Sequence, residues 1–203
     1  MKTITLADLA AMEKLARVQF ASSLPGVKPV CLVGTRDAAG QTNLAPFSSV
    51  VHLGSKPALL GMVTRPDTVE RHTLSNIIES GVYTLNHLHR GILEAAHQCA
   101  ARYPREQSEF DATGLTRHEQ DGFVFVAESR LRMGMKLVDI LPIEANNTRL
   151  IIGAVQCVQV PTASVSDDGS IDLPGLGILA STALDTYFEP VEVARLPYAK
   201  PIS

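Results

Sequence analysis

Two short strings hold most of the side chains with chemistry to offer. The first is Gly40-Gln41-Thr42-Asn43-Leu44-Ala45-Pro46-Phe47-Ser48-Ser49, where small, amide and hydroxyl residues interleave with apolar ones at the start of a strand. Such a segment can lay backbone N–H groups and hydroxyls against a flat polar ligand without obstruction. The same string would also serve as an ordinary loop-to-strand transition. The second is Thr64-Arg65-Pro66-Asp67-Thr68, which joins a strand to a helix with Asp67 as N-cap and Glu70 three residues on. A helix N-terminus presents free N–H groups and the positive end of the dipole, which suits a phosphate. Arg65 adds a fixed charge with fork geometry, and Thr68 adds a hydroxyl donor. The bland reading of this string is a capped helix beside a solvated arginine.

Other chemistries find less support. His87 and His89 are two apart, so on a strand they would share a face and could share a metal; a polar strand end is the commoner meaning, and no metal is expected. Cys31, Cys99 and Cys157 are dispersed and odd in number, which argues against a disulfide framework and for a reducing cytoplasm. The phosphate-loop patterns G-x-G-x-x-G and G-x-x-x-x-G-K-[ST] and the nucleophile elbow G-x-S-x-G are all missing. With 18 basic against 21 acidic residues, the chain has no excess of positive charge with which to hold nucleic acid. No apolar run approaches the ~20 residues of a membrane span, and Asp8, Glu13 and Lys14 interrupt any signal-peptide core.

The elements that must position these strings follow from periodicity. Leu6, Leu9, Met12 and Ala16 recur at helical spacing, and Thr5 with Asp8 makes a capping pair, so a helix is expected over 5–20. Short β-rich runs are expected at 30–35, from Thr42 through Leu53, at 58–64 and at 82–86, with Asp37–Gly40 as a hairpin connection. Helices are expected after Asp67, ending at Gly81, and over 91–102. From Gly122 onward the pattern is mostly β, over 123–127, 130–141 and 149–160, with a turn at Asp167–Ser170. A length of 203 residues with 45% hydrophobic composition suits one domain over 1–203. Strands at short spacing with interposed helices suggest a closed antiparallel barrel with helical additions.

Taken together, the strings resemble the flavin reductase-like family. The family's run after its first hairpin is similar to Asn43-Leu44-Ala45-Pro46-Phe47-Ser48, and its later Asp-Thr and Asn-Ile are similar to Asp67-Thr68 and Asn76-Ile77. Val82-Tyr83-Thr84-Leu85-Asn86, Glu109-Phe110 with Gly114-Leu115, and Leu150–Val155 resemble further family motifs in the same order, over roughly 28–160. Where the family often has Pro-Pro, this chain has Lys56-Pro57-Ala58, and Gly175-Leu176-Gly177 with Tyr187 stands in for a late turn that tends to lie over the flavin.

The resemblance implies a mainly β fold with added helices, an antiparallel split β-barrel of the Greek-key, FMN-binding type. It implies that Asn43, Leu44, Ala45, Pro46, Phe47, Ser48 and Ser49 line the flavin ring and ribityl chain. Arg65 and Thr68 would hold the phosphate with the helix N-terminus behind them, Thr64 beside them counts among the cofactor-binding residues, and Asn86 and His87 would reach the site from the next strand. The cofactor carries the chemistry in such enzymes, so no catalytic side chain is named. The implied activity is NAD(P)H-dependent flavin reduction in the cytoplasm, with FMN ahead of FAD, NADH or NADPH as donor, a homodimer, and a partner monooxygenase receiving reduced flavin. The alternative is a non-catalytic FMN-binding or electron-relay module of the same fold.

Overall fold

The computed structural model describes residues 1–65 and 72–201; the expected cap at Asp67, with Glu70 and Thr68, lies outside the described residues. Thr5 and Asp8 form a complete capping box at the start of α1 (Leu6–Ala11). The single helix expected over 5–20 is two helices, because the chain turns extended at Met12 and Glu13, whose carboxylate then caps α2 (Lys14–Ser23). Neither helix has a buried residue.

The body is β1 (Lys28–Pro29), β2 (Cys31–Arg36), β3 (Thr42–Phe47), β4 (Val50–Ser55), β5 (Ala58–Thr64), α3 (His72–Ser80) and β6 (Val82–His87). A 3₁₀ turn (Arg90–Ile92), α4 (Leu93–Gln98) and α5 (Glu109–Thr113) follow, so the helix expected over 91–102 is shorter and begins as a 3₁₀ turn. β7 (Arg117–Gln120) and β8 (Phe123–Val126) form a hairpin. Then come the long β9 (Arg132–Ile143) and β10 (Thr148–Gln159), and the short β11 (Ala180–Thr182) and β12 (Thr186–Phe188). The expected turns are present: Gly40 and Gly169 both take left-handed φ where their hairpins reverse, and Gly81 does so at the end of α3.

Seven antiparallel strands form the main sheet in the order β3-β2-β6-β9-β10-β5-β4. β3 and β4 are successive in the chain yet sit at opposite edges, joined by Ser48 and Ser49 alone. In a flat sheet six spacings of about 4.8 Å would part them by roughly 29 Å. Three Cα steps from Phe47 to Val50 span at most about 11 Å. The sheet must therefore curl until its edges nearly meet. The edges carry no ladder between them, so the closed barrel expected from strand spacing is a barrel left open along one seam. The run from Thr42 to Leu53, expected as one strand, is cut by that seam. Pro46, which lacks an N–H, is tolerated because β3 is an edge.

β2 is buried on both faces and divides the core. Cys31 and Val33 point into the barrel with Met62, Tyr83, Leu85, Met135 and Ile151, and Leu74 and Ile77 of α3 plug the interior. Leu32 and Leu44 point outward under α4, α5 and β8, against Ile92, Ala96, Phe110, Val124 and Val126. Gly34 is required where β8 crosses, since a Cβ there would stand 2.5 Å from both Thr84 Oγ1 and the Val124 carbonyl.

Candidate active site

A cleft of about 760 Å³ opens at the seam. One wall is the end of β3 and the linker that crosses the seam: Asn43, Ala45, Pro46, Phe47, Ser48 and Ser49. The register Thr35↔Asn43, Val33↔Ala45 and Cys31↔Phe47 turns these three β3 residues to the barrel interior. Asn43 is held there by a 2.9 Å hydrogen bond from its Nδ2 to Thr73 Oγ1 of α3. Ser49 uses its hydroxyl as a piece of missing ladder: Oγ donates to the Val63 carbonyl at 2.8 Å and accepts from the Val63 N–H at 3.2 Å.

The wall continues along the end of β5, joined to the linker through Ser49, with Val63, Thr64 and Arg65. Thr64 is buried, and its Oγ1 has no hydrogen-bond partner among the described residues. A buried hydroxyl left without a partner costs about 1–3 kcal/mol, which makes this atom a place for a ligand acceptor. Arg65 is exposed on the same wall, and Arg102, on the loop after α4, also lines the cleft. Neither guanidinium has an ion-pair partner among the described residues. A flat, small-residue wall beside an orphaned hydroxyl and these two cations has the donor set for a planar ligand with an anionic end.

The remaining walls come from segments that sequence patterning does not single out as site: Val18 and Ser22 of α2, Lys28, Cys99 to Tyr103, and Ser181, Ala183 and Leu184. Lys28 is tied down by a 2.7 Å hydrogen bond to the Ser22 carbonyl. Glu109 forms the floor; burial raises its carboxyl above the usual range, and its Oε2 accepts the Leu44 N–H at 2.8 Å. Tyr187 lines the far end, its hydroxyl 2.9 Å from His97 Nδ1. Gly175–Gly177 does not line the cleft; Leu176 packs with Leu131 and Ile178, and Gly177 lies beside Arg130.

Three residues expected at the site stand elsewhere. Leu44 alternates with Asn43 and Ala45 and so points away, into the outer core. Asn86 is fully buried and spends its amide on structure: Nδ2 donates to the Leu32 carbonyl at 3.0 Å and Thr84 Oγ1 at 2.8 Å, and Oδ1 accepts the Val126 N–H at 2.9 Å. His87 faces the barrel interior beside Cys31 of the paired strand, its Nδ1 3.7 Å from Cys31 Sγ, and does not line the cleft; burial lowers its pKa to about 4. His89 does not share a site with it, since its Nδ1 accepts the Gly91 N–H at 3.1 Å and caps the 3₁₀ turn.

Comparison with known proteins agrees with this geometry. Residues 26–171 match the flavin reductase like domain. The chain belongs to the flavin reductase-like family. A structure from Shewanella frigidimarina NCIMB 400, described provisionally as a flavin reductase with split barrel domain, is 43% identical with a TM-score of 0.94, over 98% of this chain and 100% of that one. Nitrilotriacetate monooxygenase component B from Bacillus cereus is 23% identical with a TM-score of 0.83, over 97% and 98% of the two chains. Flavoredoxin of Desulfovibrio vulgaris (Miyazaki F) is 20% identical with a TM-score of 0.76, over 98% of both. The open seam is thus the split of a split barrel, and the fold of this flavin reductase-like chain is the one its sequence resemblance implies.

Proposed function

We propose that this chain is an oxidoreductase that binds FMN in the split and reduces it with NADH or NADPH. The observation that carries the reading is Thr64 Oγ1, a buried hydroxyl without a partner among the described residues, beside Arg65 in the seam cleft. Asn43, Ala45, Phe47 and Ser48 would face the isoalloxazine and ribityl chain, and Thr64 and Arg65 the phosphate; Thr68 belongs to the same proposal from outside the described residues. Bound flavin would supply the redox chemistry, accepting a hydride from the nicotinamide and passing electrons on. The protein's part is to orient that ring, to keep water from its buried side and to balance the phosphate charge. The cleft volume is within the usual range for a small-molecule site, and the small side chains at Ala45 and Ser48 let a ring approach the backbone.

The reading extends to a homodimer and to delivery of reduced flavin to a monooxygenase, which the likeness to a monooxygenase component B supports. No helix among the described residues is long and apolar enough to cross a membrane, and we place the protein in the cytoplasm as one domain over 1–203. A non-catalytic FMN-binding or electron-relay module is the second reading. What favours it is that the late turn at Gly175–Gly177, expected over the flavin, stands outside the cleft. Titration of the protein with FMN, followed by flavin fluorescence, tests the shared premise. Saturation near one FMN per chain at micromolar concentration is the expected result, and no saturable change removes both readings.

A further inference from the structure

Phe188 ends β12, and from Glu189 to Pro201 the backbone forms an arm without helix or strand. Val191, Val193, Leu196 and Tyr198 on this arm are between 78% and 94% exposed. Two ion pairs hold the arm's course along its own body, Glu189 with Arg90 and Arg195 with Asp168, while its apolar side chains stay clear of the core. Beyond the Arg195–Asp168 pair, Leu196 to Pro201 reach about 20 Å when extended, so Tyr198 can leave its own body and meet an adjoining copy.

The same chain carries a second uncovered apolar surface. Leu141, Leu150 and Val63 lie opposite one another across β9, β10 and β5, and Ile152, Gly61 and Val51 do so across β10, β5 and β4. Directly opposed residues share a face, so these strands present Leu141, Leu150, Val63, Ile152 and Val51 on the side away from Met62 and Ile151. Leu53 leans over Gly61 on that side, within 3.1 Å of where a Cβ would stand. Val51, Leu53 and Leu141 are each more than two-fifths exposed, and Val63 at the border of the face also lines the cleft.

We propose that the arm of one chain docks on this outer sheet face of a second copy. The inference rests on the homodimer reading and names the segment that makes it. A twofold exchange covers both surfaces on both copies in one closed assembly, as an isologous interface requires. Tyr198 alone buries about 150–250 Å² when enclosed, a fifth to a third of the ~800 Å² per partner in a standard interface, and the exposed Val191, Val193 and Leu196 add to that contribution. Because Ser181, Ala183, Leu184 and Tyr187, just before the arm, line the cleft, docking also fixes the wall of the site from its open side.

The chain has no tryptophan, so Tyr198→Trp places a sole reporter on the arm. Sedimentation and Trp emission are read across protein concentration for this variant, for a chain ending at Glu189, and for Tyr198→Trp combined with Leu141→Glu. Expected are a dimer of the full chain, an emission that shifts to the red on dilution or with Leu141→Glu, and at least tenfold weaker dimerisation of the shortened chain. A full chain that stays monomeric removes the dimer reading and the docking together. A shortened chain that dimerises as tightly as the full one overturns the docking and leaves the dimer. An emission that neither dilution nor Leu141→Glu moves overturns it too, since the arm's surroundings then do not depend on a second copy.

Discussion

The Glu109 carboxylate accepts the backbone N–H of Leu44 at 2.8 Å, tying α5 to the free edge of the barrel. β3 has a strand partner on one side alone, so without this bond the Leu44 N–H would be buried and unpaired. The same strand carries Asn43 and Ala45 into the cleft, which makes the bond a brace for the site wall.

Glu109→Ala removes that acceptor and should cost about 1–3 kcal/mol in denaturant unfolding. Glu109→Gln keeps an oxygen in place and should retain most of that stability. FMN affinity should follow the same order, since both variants act on it through β3.

At the proposed phosphate end, stability and affinity should part company. Thr64→Val replaces a hydroxyl without a partner among the described residues with a methyl, so the fold should hold or gain up to about 1 kcal/mol while FMN binds about 2–12-fold more weakly. Arg65→Ala removes a charge-assisted bond of about 1.5–3 kcal/mol, or about 10–150-fold in affinity. Riboflavin, which has no phosphate, should bind wild type and Arg65→Ala nearly equally. Parallel loss of both ligands in a fluorescence titration would show that Arg65 is not the phosphate anchor.

Asn86 should behave as a structural residue. Asn86→Ala breaks bonds to Leu32, Thr84 and Val126 and leaves buried groups unpaired, at a cost of about 2–4 kcal/mol. The fraction that remains folded should bind FMN with unchanged affinity, as equilibrium titration below the melting temperature can establish.

The His87 ring carries a pH dependence. Burial lowers it to about 4, against about 6.5 when unfolded. The unfolded chain therefore takes up this proton first as pH falls. The stability His87 contributes is fully present above pH 6.5 and is lost as pH falls toward 4. At about 1.36 kcal/mol per unit, the whole loss is roughly 3 kcal/mol. Melts of wild type and His87→Gln at pH 7 and 5 check it, because other titrating groups cancel in the difference; an equal fall in both variants would contradict it.

Much of the fold is legible in the sequence. The capping box at Thr5 and Asp8, the hairpin glycines Gly40 and Gly169, and the alternating strands follow from local rules that neighbours do not override. The seam is not legible, because nothing local distinguishes a strand that continues from Phe47 from one that crosses to the far edge. Leu44 reads as site because a contiguous string hides the alternation that turns every second residue away. Asn86 and His87 stand outside the cleft although the strand is right: β8 packs over Asn86, and His87 is buried beside Cys31 on the neighbouring strand. Arg102 carries no signal at all, since it enters the cleft through the path of a loop rather than through a pattern.

The most direct test is the absorption spectrum of the FMN-loaded protein, followed under anaerobic conditions as NADH or NADPH is added. The flavin band should bleach far faster with the protein than in buffer, with at least one of the two nicotinamides. A protein that binds FMN but leaves the band unchanged with both would contradict the reductase and leave the binding module in its place.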